Sequence, residues 1–187
     1  MKQKHGFTLI EMLVVTAVMG ILAMVSIANF REGEKRKRVA LAIDGIVSAV
    51  NLAQTYSLAG KSTNNPDADC RIPQYYYITF NYINTYAIFA MNTCGVTPDL
   101  IQSYTLPANT RVSTSIITPG LTMNNTAAVT NMRIAFYPPF AQIRGAIDTI
   151  VTGSNDPFTT ATITIESSDG KISKTATIDG VVGRISQ

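Results

Sequence analysis

The sequence has few of the side chains that enzymes and metal sites use. Among its 187 residues there is one histidine, His5, and there are two cysteines, Cys70 and Cys94. Two cysteines without other soft ligands do not make a zinc site. The sequence contains no nucleophile beside a candidate base and no glycine-rich phosphate loop. It therefore predicts a protein that is not an enzyme, binds no metal or cofactor and has no small-molecule substrate.

Charged residues are also scarce, at 14% of the chain against 46% for hydrophobic residues. From Phe7 to Asn29 the only ionisable side chain is Glu11. A helix of that length rises roughly 35 Å, and the hydrocarbon core of a bilayer is roughly 30 Å thick. We therefore predict a transmembrane helix over residues 7–30.

The helical pattern continues beyond the apolar run, over residues 31–59. Mostly apolar side chains recur there at spacings of four and three residues, which places them on one face of a helix: Val39, Ile43, Ile46, Val50, Ala53 and Ser57. Proline is absent before Pro66, and Gly60 begins a segment rich in turn formers. One helix, with Gly33 as the place for a kink, is predicted to end near Ala59.

Residues 60–187 are predicted to form a β-rich head. Short runs rich in Tyr, Ile, Thr, Phe and Val are separated by Asn, Gly, Pro and Asp. Asp169-Gly170 favours a tight hairpin turn, and alternation puts Tyr76 on the opposite side of its strand from Tyr75 and Tyr77. The candidate strands are residues 74–80, 85–91, 111–117, 132–137, 142–147, 161–167, 171–178 and 181–185. The expected fold class is α+β, with the helix packed on an antiparallel sheet.

The amino-terminal residues resemble the processing site of type IV prepilins and type II secretion pseudopilins. Gly6, Phe7 and Glu11 carry the resemblance, after a short basic leader. The resemblance implies that a prepilin peptidase cuts after Gly6, that the amino group of Phe7 is methylated, and that other pilin or pseudopilin subunits are partners. It also implies a leader of residues 1–6 that takes His5 with it. The chain would then cross the inner membrane once, in contact with lipid before assembly. Its head would lie on the extracytoplasmic side and have a pilin-like fold.

Glu11 is the residue on which the assembly hypothesis depends. A carboxylate in a lipid-facing helix is costly and is usually retained because it has a partner. Cleavage after Gly6 would create one, because the new amino group of Phe7 is a cation one helical turn away. The residues leave pairing within the chain and pairing with a neighbouring subunit both open, and the resemblance implies the second.

An ordinary secretory signal peptide is the alternative interpretation of the amino terminus. Ser26-Ile27-Ala28 would be its small-x-small cleavage site. Glu11 interrupts the apolar core of such a peptide, and that core is longer than signal peptides usually have. We therefore favour the prepilin interpretation.

A basic cluster follows the apolar run: Arg31, Lys35, Arg36, Lys37 and Arg38. With the head outside the cell, this cluster conflicts with the tendency of lysine and arginine to remain on the cytoplasmic side. We interpret it as a collar near lipid headgroups, with contacts to acidic residues of neighbouring subunits as the alternative.

The head resembles the minor pseudopilins of the H type and the related minor pilins, the GspH/FimT group, through its paired strands and an ending that reads Gly180-Val-Val-Gly183-Arg184-Ile185. Some members of the group bind DNA near such an ending, which makes Arg184 a candidate DNA contact. One arginine cannot supply several phosphate contacts, and the residues from Lys61 onward hold eight basic and eight acidic side chains. We therefore favour a structural subunit of a type IV pilus or type II secretion pseudopilus over a head that captures DNA for uptake.

Cys70 and Cys94 both lie beyond the apolar run, where an exported domain meets an oxidising environment. We predict a disulfide that closes a loop of about 25 residues and contributes about 3 kcal/mol to stability. Two unlinked buried thiols are the alternative.

If Cys70 and Cys94 are bonded, thiol labelling under denaturing, non-reducing conditions should find no free cysteine. Full labelling of both residues would contradict the bond.

Overall fold

The computed structural model describes residues 8–63, 71–81, 84–92, 97–114, 120–124, 126–127, 131–147 and 157–187. The chain divides into two compact units, Met1–Lys37 and Arg38–Gln187. One helix, α1 (Leu9–Ala59), contributes to both units, and the second unit also holds every described strand. The α+β fold class predicted from the sequence is therefore confirmed.

The described part of the first unit is the start of α1, whose side chains have no core of their own to pack into. Over residues 9–25 the large apolar side chains are between 44% and 85% exposed. The helix is long and apolar enough to cross a membrane. The helix continues through Gly33 without a break.

In the second unit, α1 packs one face into the core. The stripe expected from the sequence is buried throughout, with exposed fractions of 0–1%: Val39, Ile43, Ile46, Val50, Ala53 and Ser57. The helix ends at Ala59, and Gly60 directly after it adopts a φ of +59°, a conformation that glycine tolerates without strain. The Lys61 N–H then donates to the Tyr56 carbonyl at 3.2 Å and closes the last turn. The predicted stop at Gly60 is therefore confirmed.

The strands of the second unit form two antiparallel sheets. In chain order the described strands are β1 (Pro73–Asn81), β2 (Thr85–Asn92), β3 (Asp99–Thr105), β4 (Thr110–Val112), β5 (Leu121–Met123), β6 (Thr126–Ala127), β7 (Asn131–Tyr137), β8 (Gln142–Ile147), β9 (Thr160–Ser167), β10 (Ser173–Asp179) and β11 (Ile185–Ser186). Sheet A has the order β3-β2-β1-β7-β8, and sheet B has the order β11-β10-β9-β5-β6, with β4 also paired to β9. One hydrophobic core joins both sheets to the buried stripe of α1.

The three consecutive tyrosines of β1 alternate between the two faces of sheet A. Tyr76 packs against α1, where its ring centroid lies 6.0 Å from that of Tyr56. Tyr75 and Tyr77 form a separate cluster with Ala135. The predicted alternation is therefore confirmed, and all three tyrosines are buried.

Some strand predictions need correction. Residues 181–185 are not a strand, because the carboxylate of Asp179 accepts hydrogen bonds from the N–H groups of Val181 and Val182, at 2.8 and 2.9 Å, and holds a turn there. Only the final residue of that range pairs, in β11. Strand β4 ends at Val112, and residues 115–117 of the predicted range 111–117 lie outside the described part of the chain. Strand β10 begins at Ser173 rather than at residue 171. The sequence did not predict β3, β5 or β6.

The predicted disulfide falls on residues outside the described part of the chain. Cys70 and Cys94 both lie in gaps between the described ranges. The bond therefore stays a prediction.

Buried tyrosines connect the end of α1 to sheet A. The Tyr76 hydroxyl donates to the carbonyl of Lys61, just beyond the helix. Burial raises the pKa of Tyr76 to about 12, and the neighbouring Tyr56 adds to the rise. Burial likewise raises the pKa of Tyr86 to about 12. The folded chain therefore holds these protons more tightly than the unfolded chain, in which the pKa of tyrosine is about 10.

We expect the second unit to lose thermal stability as the pH rises from about 10 to about 12. In that range the unfolded state has released protons that the folded state still binds, so stability falls with pH. Tyr76→Phe should lower the Tm at neutral pH, through loss of the bond to Lys61, and should make the alkaline fall shallower. Circular dichroism melts across this range measure both effects, with Tyr137→Phe on the other face of sheet A as the control. An equally steep fall in Tyr76→Phe would contradict the assignment.

Candidate functional site

At the start of α1, the carboxylate of the apolar segment receives its donors from the first helical turn. The N–H and the hydroxyl of Thr8 both donate to Oε2 of Glu11, each at 2.8 Å. In return the Glu11 N–H donates to Thr8 Oγ1 at 3.3 Å. The Met12 N–H donates to the Thr8 carbonyl, also at 3.3 Å, and begins the helical ladder. Thr8 and Glu11 thus form a capping box, which satisfies donors that a helix start otherwise leaves without partners.

This geometry leaves half of the carboxylate available. Both hydrogen bonds from Thr8 end on Oε2, and Oε1 of Glu11 accepts none from the described residues. An ionised carboxylate has about four lone-pair sites, so the two bonds do not exhaust it. The positive end of the helix dipole also favours a negative charge in the first turn. Glu11 can therefore keep its bonds to Thr8 and accept a further donor at Oε1.

Thr8 is a site residue that was not among those predicted from the sequence. The signal was present, because Thr-x-x-Glu directly before an apolar run is the pattern of a capping box. The position of Glu11 in an apolar run predicts only that its carboxylate needs a partner. The Thr-x-x-Glu pattern identifies Thr8 as that partner within the chain.

The other polar side chains of the apolar segment bond back to their own helix. Thr16 Oγ1 donates at 3.0 Å to two carbonyls of the preceding turn, and Ser26 Oγ donates to the Leu22 carbonyl at 2.9 Å. Hydroxyls bonded in this way present little polarity to a surrounding apolar medium. Over residues 8–26, Glu11 is therefore the one side chain with charge to offer a partner.

The remaining predicted site residues are placed differently. Gly6 and Phe7 lie outside the described residues, so cleavage and methylation stay predictions. Arg184, the candidate DNA contact, is an exposed residue of the second unit directly before β11. Its carbonyl accepts a hydrogen bond from the Asp179 N–H at 2.9 Å, and its guanidinium has no partner among the described residues.

The buried carboxylate of the second unit is part of a sheet contact. Glu166, on β9, is 6% exposed and accepts from Arg111 Nε at 2.8 Å and from Ser113 Oγ at 2.9 Å. Each of its oxygens therefore has a donor from the β4 region of sheet B. Within the part of the chain that the structure describes, no group of three or more His, Cys, Asp or Glu residues is arranged to hold a metal ion.

The family comparison agrees with this geometry. The prokaryotic N-terminal methylation motif matches residues 1–27, a segment that contains both members of the capping box. The start of α1 therefore lies within a prokaryotic N-terminal methylation motif. Two fimbrial proteins of Pseudomonas aeruginosa are each 36% identical to the chain over 61 residues. Each match covers 33% of this chain and 40% of the relative, so the chain spans less than half of the curated relatives that it matches. No solved structure matches the chain.

Thr8→Val should loosen the start of α1. The change removes the hydroxyl that donates to the Glu11 carboxylate and accepts from the Glu11 N–H. Amide hydrogen exchange in detergent micelles should become several-fold faster in the first turn and stay unchanged in the buried stripe of the second unit. Thr8→Ser keeps the hydroxyl and is the matched control. Equal protection in the two variants would show that the capping box does not hold the helix start.

Proposed function

We propose that this chain is a structural subunit, a minor pilin or pseudopilin, of a type IV pilus or a type II secretion pseudopilus. One observation carries the proposal: the exposed apolar segment of α1, residues 9–25, has a single carboxylate, Glu11, and that residue lies within the match to the N-terminal methylation motif. The two relatives named as fimbrial proteins support it. The protein acts by assembly with other pilin-class subunits rather than by catalysis.

The subunit begins as a membrane protein. Residues 7–30 cross the inner membrane once, with the head on the extracytoplasmic side and residues 1–6 accessible to the prepilin peptidase. Cleavage after Gly6 makes Phe7 the new amino terminus, which is then methylated. The exposed apolar side chains of residues 9–25 support this placement, because such a surface is stable when lipid covers it.

Assembly uses the free oxygen of Glu11. The capping box occupies Oε2, so the cationic amine of Phe7 in a neighbouring subunit binds at Oε1. A charge-assisted hydrogen bond of this kind is strong in a medium of low dielectric constant, and an amine buried without a carboxylate is costly. Each subunit offers one carboxylate and one amine to different neighbours. A head-to-tail contact of this kind repeats from subunit to subunit, and it builds a filament where the rotation between neighbours does not close a ring.

Glu11→Val tests this contact. We expect a normal membrane level, because the change makes the helix more apolar, and a normal mature start at Phe7, because the cleavage site is unchanged. Incorporation into sheared filaments should fall strongly. Immunoblots of membranes and filaments, with amino-terminal sequencing, measure all three. Thr16→Val makes the same segment more apolar but keeps Glu11, and this control should assemble normally.

Each result of that experiment has a distinct meaning. Normal incorporation of Glu11→Val would contradict the contact between subunits. Loss of the variant from membranes would show that Glu11 serves insertion instead. A mature chain that begins at Asn29 would contradict the prepilin interpretation and favour a secretory signal peptide.

A further inference from the structure

The first unit ends in a short stretch of exposed charge. Over residues 30–37, directly after the apolar segment, every side chain is exposed. The stretch has a net charge of +2, from the cations Arg31, Lys35, Arg36 and Lys37 and the carboxylates Glu32 and Glu34. Arg38 belongs to the second unit, where its Nη1 donates to the Ala108 carbonyl at 3.3 Å. The basic cluster predicted from the sequence is therefore divided between the two units, and four of its five cations belong to the first unit, with the apolar segment.

Ion pairs within residues 30–37 do not neutralise all of the positive charge. Glu32 accepts a hydrogen bond from Arg36 at 2.8 Å, but both side chains are more than half exposed, at 59% and 69%. Exposed pairs of this kind contribute little to stability. Arg31 and Lys37 have no hydrogen bond or ion pair within the described residues. These two cations are available to an external anion.

The position of the stretch along α1 sets its depth in a bilayer. From Leu9 to Phe30 the helix rises roughly 32 Å, which is close to the thickness of the hydrocarbon core. The polar headgroup layer adds roughly 5–7 Å on each side of that core. Phe30, 75% exposed, is the last large apolar side chain before the charges. The cations that follow it therefore reach the level of the lipid phosphates, toward which long basic side chains extend readily.

We propose that residues 30–37 are a binding site for anionic phospholipid headgroups. The inference rests on the proposed membrane insertion of residues 7–30. Lipid phosphate is favoured over the carboxylate of another subunit because the site is continuous with the apolar helix. The segment that enters the bilayer carries the cations to its surface, so the site forms in a single inserted subunit without a second copy of the chain.

This site gives the basic stretch a role on the extracytoplasmic side. Cations there oppose insertion under the positive-inside tendency, and binding to anionic headgroups offsets that cost. The same contacts break when a subunit leaves the bilayer. The release of subunits from the membrane therefore depends on the charge of the surrounding lipid.

A fluorescent reporter at the junction tests the site. The chain has no tryptophan, so Phe30→Trp introduces a single one. The full-length variant is reconstituted into vesicles in which either phosphatidylglycerol or phosphatidylcholine carries brominated acyl chains, which quench tryptophan on contact. We expect at least about a threefold preference for phosphatidylglycerol at low salt. The preference should disappear at about 1 M salt, where the Debye length is about 3 Å.

Two matched double variants in this reporter chain locate the effect. Arg31→Gln with Lys37→Gln removes the two available cations and should abolish the preference for phosphatidylglycerol. Lys171→Gln with Arg184→Gln removes two exposed cations of the second unit whose side chains likewise have no partner among the described residues. This control should keep the preference of the parent.

The outcomes separate the inference from the function on which it rests. Equal quenching by both brominated lipids, or a preference that survives loss of Arg31 and Lys37, would overturn the headgroup site and leave membrane insertion intact. Absence of quenching by either lipid would show that residue 30 does not contact the bilayer. That result would overturn the proposed insertion itself.

Discussion

A carboxylate in an otherwise apolar helix must have donors, and this constraint organises the amino-terminal end of the chain. Thr8 meets it within the first turn, with one backbone N–H and one hydroxyl. Because both bonds end on Oε2 of Glu11, the carboxylate has donors within its own chain, and Oε1 remains as an acceptor on the same side chain. The capping box therefore supplies Glu11 with donors and still leaves one oxygen of its carboxylate available to a partner.

The rest of α1 shows how one helix is built for two surroundings. Over residues 9–25 apolar side chains lie on all sides, which suits lipid, whereas beyond Arg38 a single apolar stripe faces a protein core. Between these parts lie the exposed charges of residues 30–37, which suit neither interior. The helix can continue across the change because its backbone hydrogen bonds are internal. Only the side chains have to match each medium.

Local sequence patterns were sufficient to predict the elements whose periodicity or end residues are visible in the sequence itself. The stripe of α1 and its end at Gly60 rest on periodicity and one glycine, and the predicted bounds of β8 agree with the structure. Strand β3 was missed because it lies at the edge of sheet A with much of its surface exposed. Strand β5 was missed because it has only three residues, which pair with the distant β9 and with β6. The valines at 181 and 182 suggested a strand, but the Asp179 carboxylate holds their N–H groups in a turn. At the site, Glu11 stood out by its charge, whereas Thr8 is recognised only through its spacing from Glu11, which is that of a capping box.

The capping box also changes where the drive for assembly has to come from. Since Thr8 already supplies Glu11 with donors, a new filament contact does not relieve an unpaired carboxylate. In the proposed assembly, the group that lacks a partner is the amine of Phe7, and cleavage after Gly6 is the step that creates it. An amine at that depth is costly until it meets an acceptor, and Oε1 of a neighbour supplies one without breaking the box. In this proposal, cleavage makes the subunit competent to join a filament, and Oε1 of Glu11 is an acceptor that is available before cleavage occurs.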